Sequence, residues 1–289
     1  MDNKTFTSGL QVLLLYDSDN HSLTALEISK RLGYSISKTY RLIRTMVQFD
    51  MLKENPQTAS YSLGRAIIRL GLLAQKNFQL PGVAQPFMKE LSLLTRETVI
   101  LVGLEGTRGI CLELVESAEP IRFSVFRPGW ALPIYAGAAP KAIMAHLPEN
   151  EWDRIISKGL KRYTPNTITD PESLRADLRD IRQRGYAFSN QEAELDVWAV
   201  AAPILTGTGE PMAALAVAGP AFRLNRREVP ALGKLVVQYA QKIGFYYGGG
   251  GDPRRTQTPA SGPKMRKTEK TQGKINRSRR KRGVRRRFA

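Results

Sequence analysis

The sequence predicts an α+β protein with an N-terminal winged helix-turn-helix, a linker helix, a mixed C-terminal domain and a basic tail. Three observations carry that prediction. Two short amphipathic patterns meet at one glycine, Gly33, and run into a hairpin pattern. Further on, strand and helix patterns mix without strict alternation, which favours α+β with a largely antiparallel sheet. The charge is lopsided: of a formal +18, the stretch from Gly250 to Ala289 holds +13, with 15 Lys and Arg against Asp252 and Glu269.

The chain of 289 residues is long enough for about two domains. Phe6 to Asp17 reads as a first amphipathic helix with Thr7 or Ser8 as its cap. Thr24 and Glu27 have capping-box spacing and open a second helix, in which Ala25, Ile28, Ser29 and Leu32 share a face. Gly33 stops it. A third helix starts near Ser35, and its Thr39, Leu42, Ile43 and Met46 repeat the spacing. Met51 to Gly64 reads as two strands around an Asn-Pro-Gln-Thr turn. Gly64 to Asn77 is helical again, and Leu80-Pro81-Gly82 is expected to break it.

Beyond the break a helix over Ala84–Glu97 leads into strands expected at Val99–Leu104, Gly109–Glu116 and Ile121–Phe126. Helices follow near Pro140–His146, Glu151–Lys158 and Pro171–Arg184, then strands at Val200–Leu205 and Met212–Ala218, and a last helix from Asn225 to Tyr246. Gly248 to Gly251 reads as a flexible hinge. The tail after it has too few apolar residues to offset the entropy of ordering, so disorder is expected. The division is 1–64, 65–80, 81–248 and 249–289.

Several classes are excluded or made unexpected by composition. One cysteine, Cys111, and two histidines, His21 and His146, cannot build a disulfide framework or a Cys/His metal site within the chain. No cofactor is expected, and Cys111, in an apolar run, reads as a buried inert thiol. No run approaches about 18 apolar residues, and the start "MDNKTFTSGLQ" lacks a secretory signal pattern. A soluble cytoplasmic protein with no membrane contact is the expectation.

The third helix carries the functional reading. With Thr39, Leu42, Ile43 and Met46 turned inward, its other faces hold Ser37, Lys38, Tyr40, Arg41 and Arg44. A helix fits the major groove of duplex DNA, and side chains near its start reach base edges. Free amides at the helix start with the Ser35 and Ser37 hydroxyls suit phosphate oxygens. Candidate DNA contacts are therefore Ser35, Ser37, Lys38, Thr39, Tyr40, Arg41 and Arg44, with the Asn55–Ser60 turn as a wing. The competing reading is a basic, solvated helix in a three-helix bundle.

With those residues placed, the chain resembles the isocitrate lyase regulator (IclR) family over about residues 6 to 247. "RLGYSISKTYRLIRTM" is similar to its recognition segment, with Ser35 where the family often has proline. "LPIYAGAAPKAIMAHLP" and "TITDPESLRADLRDIRQRGYAFSNQEAELDVWAVAAPI" resemble its effector-domain stretches, the latter through Gly185, Ser189, Glu192, Ala199, Val200, Ala201 and Ile204. Leu205 and Thr206 depart from the aromatic and Asp or Asn that usually end that signature.

The resemblance implies a GAF/profilin-like domain that binds a small organic acid or aromatic catabolite. It also implies an operator in double-stranded DNA, homodimers often paired into tetramers, and the Arg65–Asn77 helix as the linker that carries the signal. Its pocket falls here on Gly137, Ala138, Ser189, Ala199, Ala216 and Ala218. Ala199 stands where some members have cysteine, and Ala216 and Ala218 where some have carboxylate-binding serines. The implied effector is then more apolar or larger than a short keto acid, or the pocket is unliganded. Glu192 reads either as a catalytic base in a cleft or as a structural acid bonding backbone amides. No Ser/His/Asp or Cys/His set surrounds it, so catalysis is not expected.

Three functions suit the tail: added non-specific DNA affinity, no regulatory role, or RNA binding. Two rivals stand against a ligand-responsive regulator. One is a constitutive architectural protein driven by the tail, and the other is an enzyme in the second domain.

Overall fold

The computed structural model describes residues 3–17, 20–77, 79–122 and 126–248. Helix α1 (Lys4–Leu13) starts on Asn3, whose side chain accepts from the Phe6 amide at 3.2 Å. The caps expected at Thr7 and Ser8 therefore fall inside the helix, and Ser8 donates to the Lys4 carbonyl at 2.8 Å. Strand β1 (Leu23–Thr24) leads into α2 (Ala25–Leu32). The expected capping box is formed: the Glu27 amide donates to the Thr24 hydroxyl, and the Thr24 amide to the Glu27 carboxylate. Gly33 closes α2 at φ 66°, a left-handed turn that costs a residue with a side chain roughly 1–2 kcal/mol.

Ser35 caps α3 (Ile36–Gln48), which buries Thr39, Leu42, Ile43 and Met46. Strands β2 (Leu52–Asn55) and β3 (Ser60–Leu63) form the expected hairpin, and β1 adds to β3, giving the order β1-β3-β2. At two residues, β1 is too short to leave an alternating pattern in the sequence. Val12, Ile28, Ile43 and Leu52 are the centre of this small core.

Helix α4 (Arg65–Asn77) is followed by α5 (Leu80–Thr95). Leu80-Pro81-Gly82 does not lie between helices as expected; it opens α5. Pro81 sits in the first turn, where its missing N–H has no intrahelical acceptor to lose.

Strands β4 (Thr98–Glu105), β5 (Arg108–Val115), β6 (Ala131–Pro133), β7 (Ala187–Asn190), β8 (Val197–Leu205) and β9 (Pro211–Pro220) form one sheet. Its order is β6-β5-β4-β9-β8-β7, and every pairing is antiparallel. The strand expected at Ile121–Phe126 is absent at Ile121 and Arg122, and residues 123–125 lie outside the described residues. The Ile121 carbonyl accepts from the Arg223 guanidinium instead of a neighbouring strand. Strand β6 takes that edge. Strand β7, missed in the sequence, is a four-residue edge just after the Gly185 helix cap.

Period-two alternation divides the sheet into two faces. Ala213, Leu215 and Val217 of β9 and Val200 and Ala202 of β8 pack with α5 and α9 (Val229–Tyr247). Ala214, Ala216 and Ala218 face the other way, toward α6 (Ala138–Met144), α7 (Glu149–Ile156) and α8 (Pro171–Arg184). Trp152 anchors that second layer; it is fully buried, and its indole donates to the Met144 carbonyl at 2.6 Å. Helix α9 starts later than expected, at Val229, because Pro230 belongs in a first turn. Gly248 caps it; the rest of the expected hinge and the tail lie outside the described residues. Among the described residues no helix is long and apolar enough to cross a membrane.

Candidate nucleic-acid interface and effector cavity

The apolar stripe of α3 faces the small core, and everything polar is left outside. Ser35, Ser37, Tyr40, Arg41 and Arg44 are exposed, and Lys38 is half-buried because its ammonium lies 3.6 Å from the centroid of the Tyr34 ring. Ser37, Tyr40, Arg41 and Arg44 share a surface groove with Glu54 and Tyr61 of the hairpin. The Tyr61 hydroxyl donates to Glu54 at 3.1 Å, so that carboxylate is held by its own strand pair. No carboxylate among the described residues is within ion-pair reach of Lys38, Arg41 or Arg44. These cations are therefore free to meet phosphate or guanine.

Two of the expected contacts change role. Thr39 is fully buried and donates its hydroxyl to the Ser35 carbonyl at 3.1 Å, so it belongs to the core and not to the outer face. The apolar spacing that includes Thr39 already placed it inward. Ser35 spends its oxygen as the cap acceptor of the Lys38 amide, at 3.3 Å. Its hydroxyl proton and the Ile36 and Ser37 amides, which have no acceptor one turn back, remain to donate outward.

The six residues expected at an effector site come together. Gly137, Ala138, Ser189, Ala199, Ala216 and Ala218 line one cavity, with about 560 Å³ of empty space including its mouth. The space exists because β8 and β9 present alanines where larger residues would reach α6. Cys111, Phe126, Trp130 and Glu194 also line it, and the sequence reading missed all four as lining residues. Phe126 and Trp130 meet edge to face with centroids 4.2 Å apart. Cys111 is buried as expected, and burial pushes its thiol up to about 12, so it is a neutral wall group.

Behind the wall lies a cluster that the sequence reading also missed. Lys141, in the buried α6, is 1% exposed. Its Nζ is 2.7 Å from Asp177 Oδ2, 2.8 Å from Glu192 Oε1 and 2.7 Å from Glu192 Oε2. The signal was available: a lysine inside an otherwise apolar helix needs a buried acid, and Glu192 was conspicuous. Burial pushes the Glu192 carboxyl above the usual carboxylate range; Lys141 and the Gly137 amide pull it back. Gly137 adopts φ 88° at the start of α6, a backbone conformation open mainly to glycine. Of the two readings of Glu192, the geometry favours a structural acid, with the Lys141 ammonium as its partner in place of the expected backbone amides. Among the described residues no group of three or more His, Cys, Asp or Glu could hold a metal ion.

A helix-turn-helix with an unpaired cationic face, on the same chain as an α+β domain with a lined internal cavity, defines the class of transcriptional regulators that carry a sensor domain. The comparisons place the chain within that class. The IclR helix-turn-helix domain matches residues 8–56, and the C-terminal domain of the bacterial transcriptional regulator IclR matches residues 73–245. The chain belongs to the IclR family of bacterial transcriptional regulators.

Among its relatives is the HTH-type transcriptional regulator BhcR of Paracoccus denitrificans, 32% identical over 77% of this chain and 80% of that protein. An IclR transcriptional regulator from Alicyclobacillus acidocaldarius is 28% identical, with a TM-score of 0.74 over 86% of this chain and 100% of that one. An IclR homolog of Microbacterium hydrocarbonoxydans, complexed with 4-hydroxybenzoate, shares the fold at 24% identity, with a TM-score of 0.69 over 84% of this chain and 99% of that one.

Proposed function

We infer that residues 1–64 read an operator in double-stranded DNA, that residues 65–80 link, and that residues 81–248 bind a small organic effector that shifts the balance of DNA-competent arrangements. The chain works as a homodimer, each winged helix taking one half-site. Ser35, Ser37, Lys38, Tyr40, Arg41 and Arg44 make the contacts, and the protein acts in the cytoplasm as a regulator without turnover. One observation carries this reading: the outward cations of α3 have no carboxylate partners in the described protein, while its inner face is fully used by the core. The cavity that gathers Gly137, Ala138, Ser189, Ala199, Ala216 and Ala218 supports the effector half.

The test is Arg41→Ala/Arg44→Ala on a duplex selected in vitro with the full chain. Both side chains are exposed, so the fold should survive, with unchanged circular dichroism. Binding to the selected duplex should fall at least about 30-fold, from two contacts each worth roughly 1–3 kcal/mol. Unchanged binding would overturn the assignment of this face.

A further inference from the structure

The cavity has a charge preference. Among its described lining residues there is no lysine, arginine or histidine, and the one ionisable oxygen acid is Glu194, at the partly exposed end of the loop between β7 and β8. Glu194 has no ion-pair partner among the described residues. Lys141, in the helix that starts at Gly137, is turned to Asp177 and Glu192, so two carboxylates share that one ammonium. Residues 199, 216 and 218 are alanines and offer no side-chain donor. A ligand carboxylate would be stripped of water here, beside protein carboxylates, with only Ser189 to donate from the sheet.

The remaining features favour the opposite charge. Phe126 and Trp130 line the wall, and the faces of aromatic rings attract cations, tryptophan most strongly. A carboxylate together with an aromatic wall in a largely apolar space suits a ring that bears an ammonium group.

We propose that the effector is an aromatic amine: its ring lies in the apolar space between the alanines of β8 and β9 and the Phe126–Trp130 pair, and its ammonium group pairs with Glu194. Resting on the reading of this cavity as the effector site, the proposal names the ligand class. It predicts rejection of aromatic carboxylates of the same size.

Three matched probes test it on the full chain: 2-phenylethylamine, 2-phenylethanol and 3-phenylpropionate. Binding is read by calorimetry, and its location by quenching of Trp130 fluorescence, checked by loss of the quench in Trp130→Phe. The amine should bind at least about tenfold tighter than the carboxylate, equivalent to about 1.4 kcal/mol. Glu194→Gln should remove most of that preference and leave the affinity for the alcohol unchanged. Tighter binding of the carboxylate with the Trp130 quench would overturn the amine assignment while leaving the cavity as the effector site. An amine preference that survives Glu194→Gln would overturn the role of Glu194. No binding by any probe would count against the amine and the cavity reading together.

Discussion

Lys141→Met probes the buried cluster. Methionine is close to lysine in length and volume, so the packing change is small, and the loss is mainly electrostatic. Glu192, with its side chain 10% exposed, loses an ammonium within 2.8 Å of both oxygens. Asp177, with 23% exposure, recovers some water. Removing one partner of a buried pair costs roughly 3–5 kcal/mol, and the partial exposure of Asp177 points to about 3 kcal/mol. At about 2–4 °C per kcal/mol for a domain of this size, Tm should drop by about 6–12 °C.

The loss should depend on pH with a definite sign. Burial already holds the Glu192 carboxyl above the usual carboxylate range in the folded state, and without Lys141 it rises further. The folded variant then binds the proton more tightly than the unfolded chain, so its stability falls as pH rises from the unfolded value through the raised one. The deficit should be larger at about pH 8 than at about pH 5. Adding Glu192→Gln to Lys141→Met removes the stranded charge and should restore about 2 kcal/mol. Urea titration of the full chain, followed by tryptophan fluorescence at both pH values, measures each quantity. A deficit below about 1 kcal/mol at the higher pH, or a double variant no more stable than the single, would refute the reasoning.

Two further predictions concern Cys111 and the tail. With its thiol pushed up to about 12 and its side chain buried, Cys111 should be alkylated by iodoacetamide only as fast as the domain opens; labelling at the rate of a free thiol in native buffer would contradict its placement. Deleting residues 250–289 should preserve preference for the selected duplex over random DNA. It should also flatten the slope of log affinity against log salt by about 0.9 for each phosphate that the tail neutralises, whereas loss of sequence preference would transfer the specificity to the tail.

Much of the fold is legible because local chemistry and tertiary packing agree. The Thr24–Glu27 capping box, the Gly33 stop and the apolar spacing of α3 each specify one local structure, and the core accepts all three. The strands of the second domain are legible in the middle of the sheet, where burial on both faces makes long apolar runs. The errors fall at the edges: β1, β6 and β7 are two to four residues long, and their pairing is decided by distant partners.

Within the candidate site, residues on the outer face of α3 can be read from helical period alone. The cavity positions came from resemblance, since alanines carry no chemical signal of a pocket. The Lys141–Glu192 pair spans 51 residues in sequence, so a lysine in an apolar helix signals a buried acid without its spacing saying which one.

The central claim is that the outer face of α3 enters the major groove. Ser37→Cys, carrying an iron chelate, tests it directly, because Cys111 is the only native thiol and is buried. Bound to the selected duplex, the tethered chelate should cut the backbone at one major-groove segment in each half-site. Cleavage spread evenly along the duplex, or none from a protein that still binds, would place α3 away from the DNA and contradict the account.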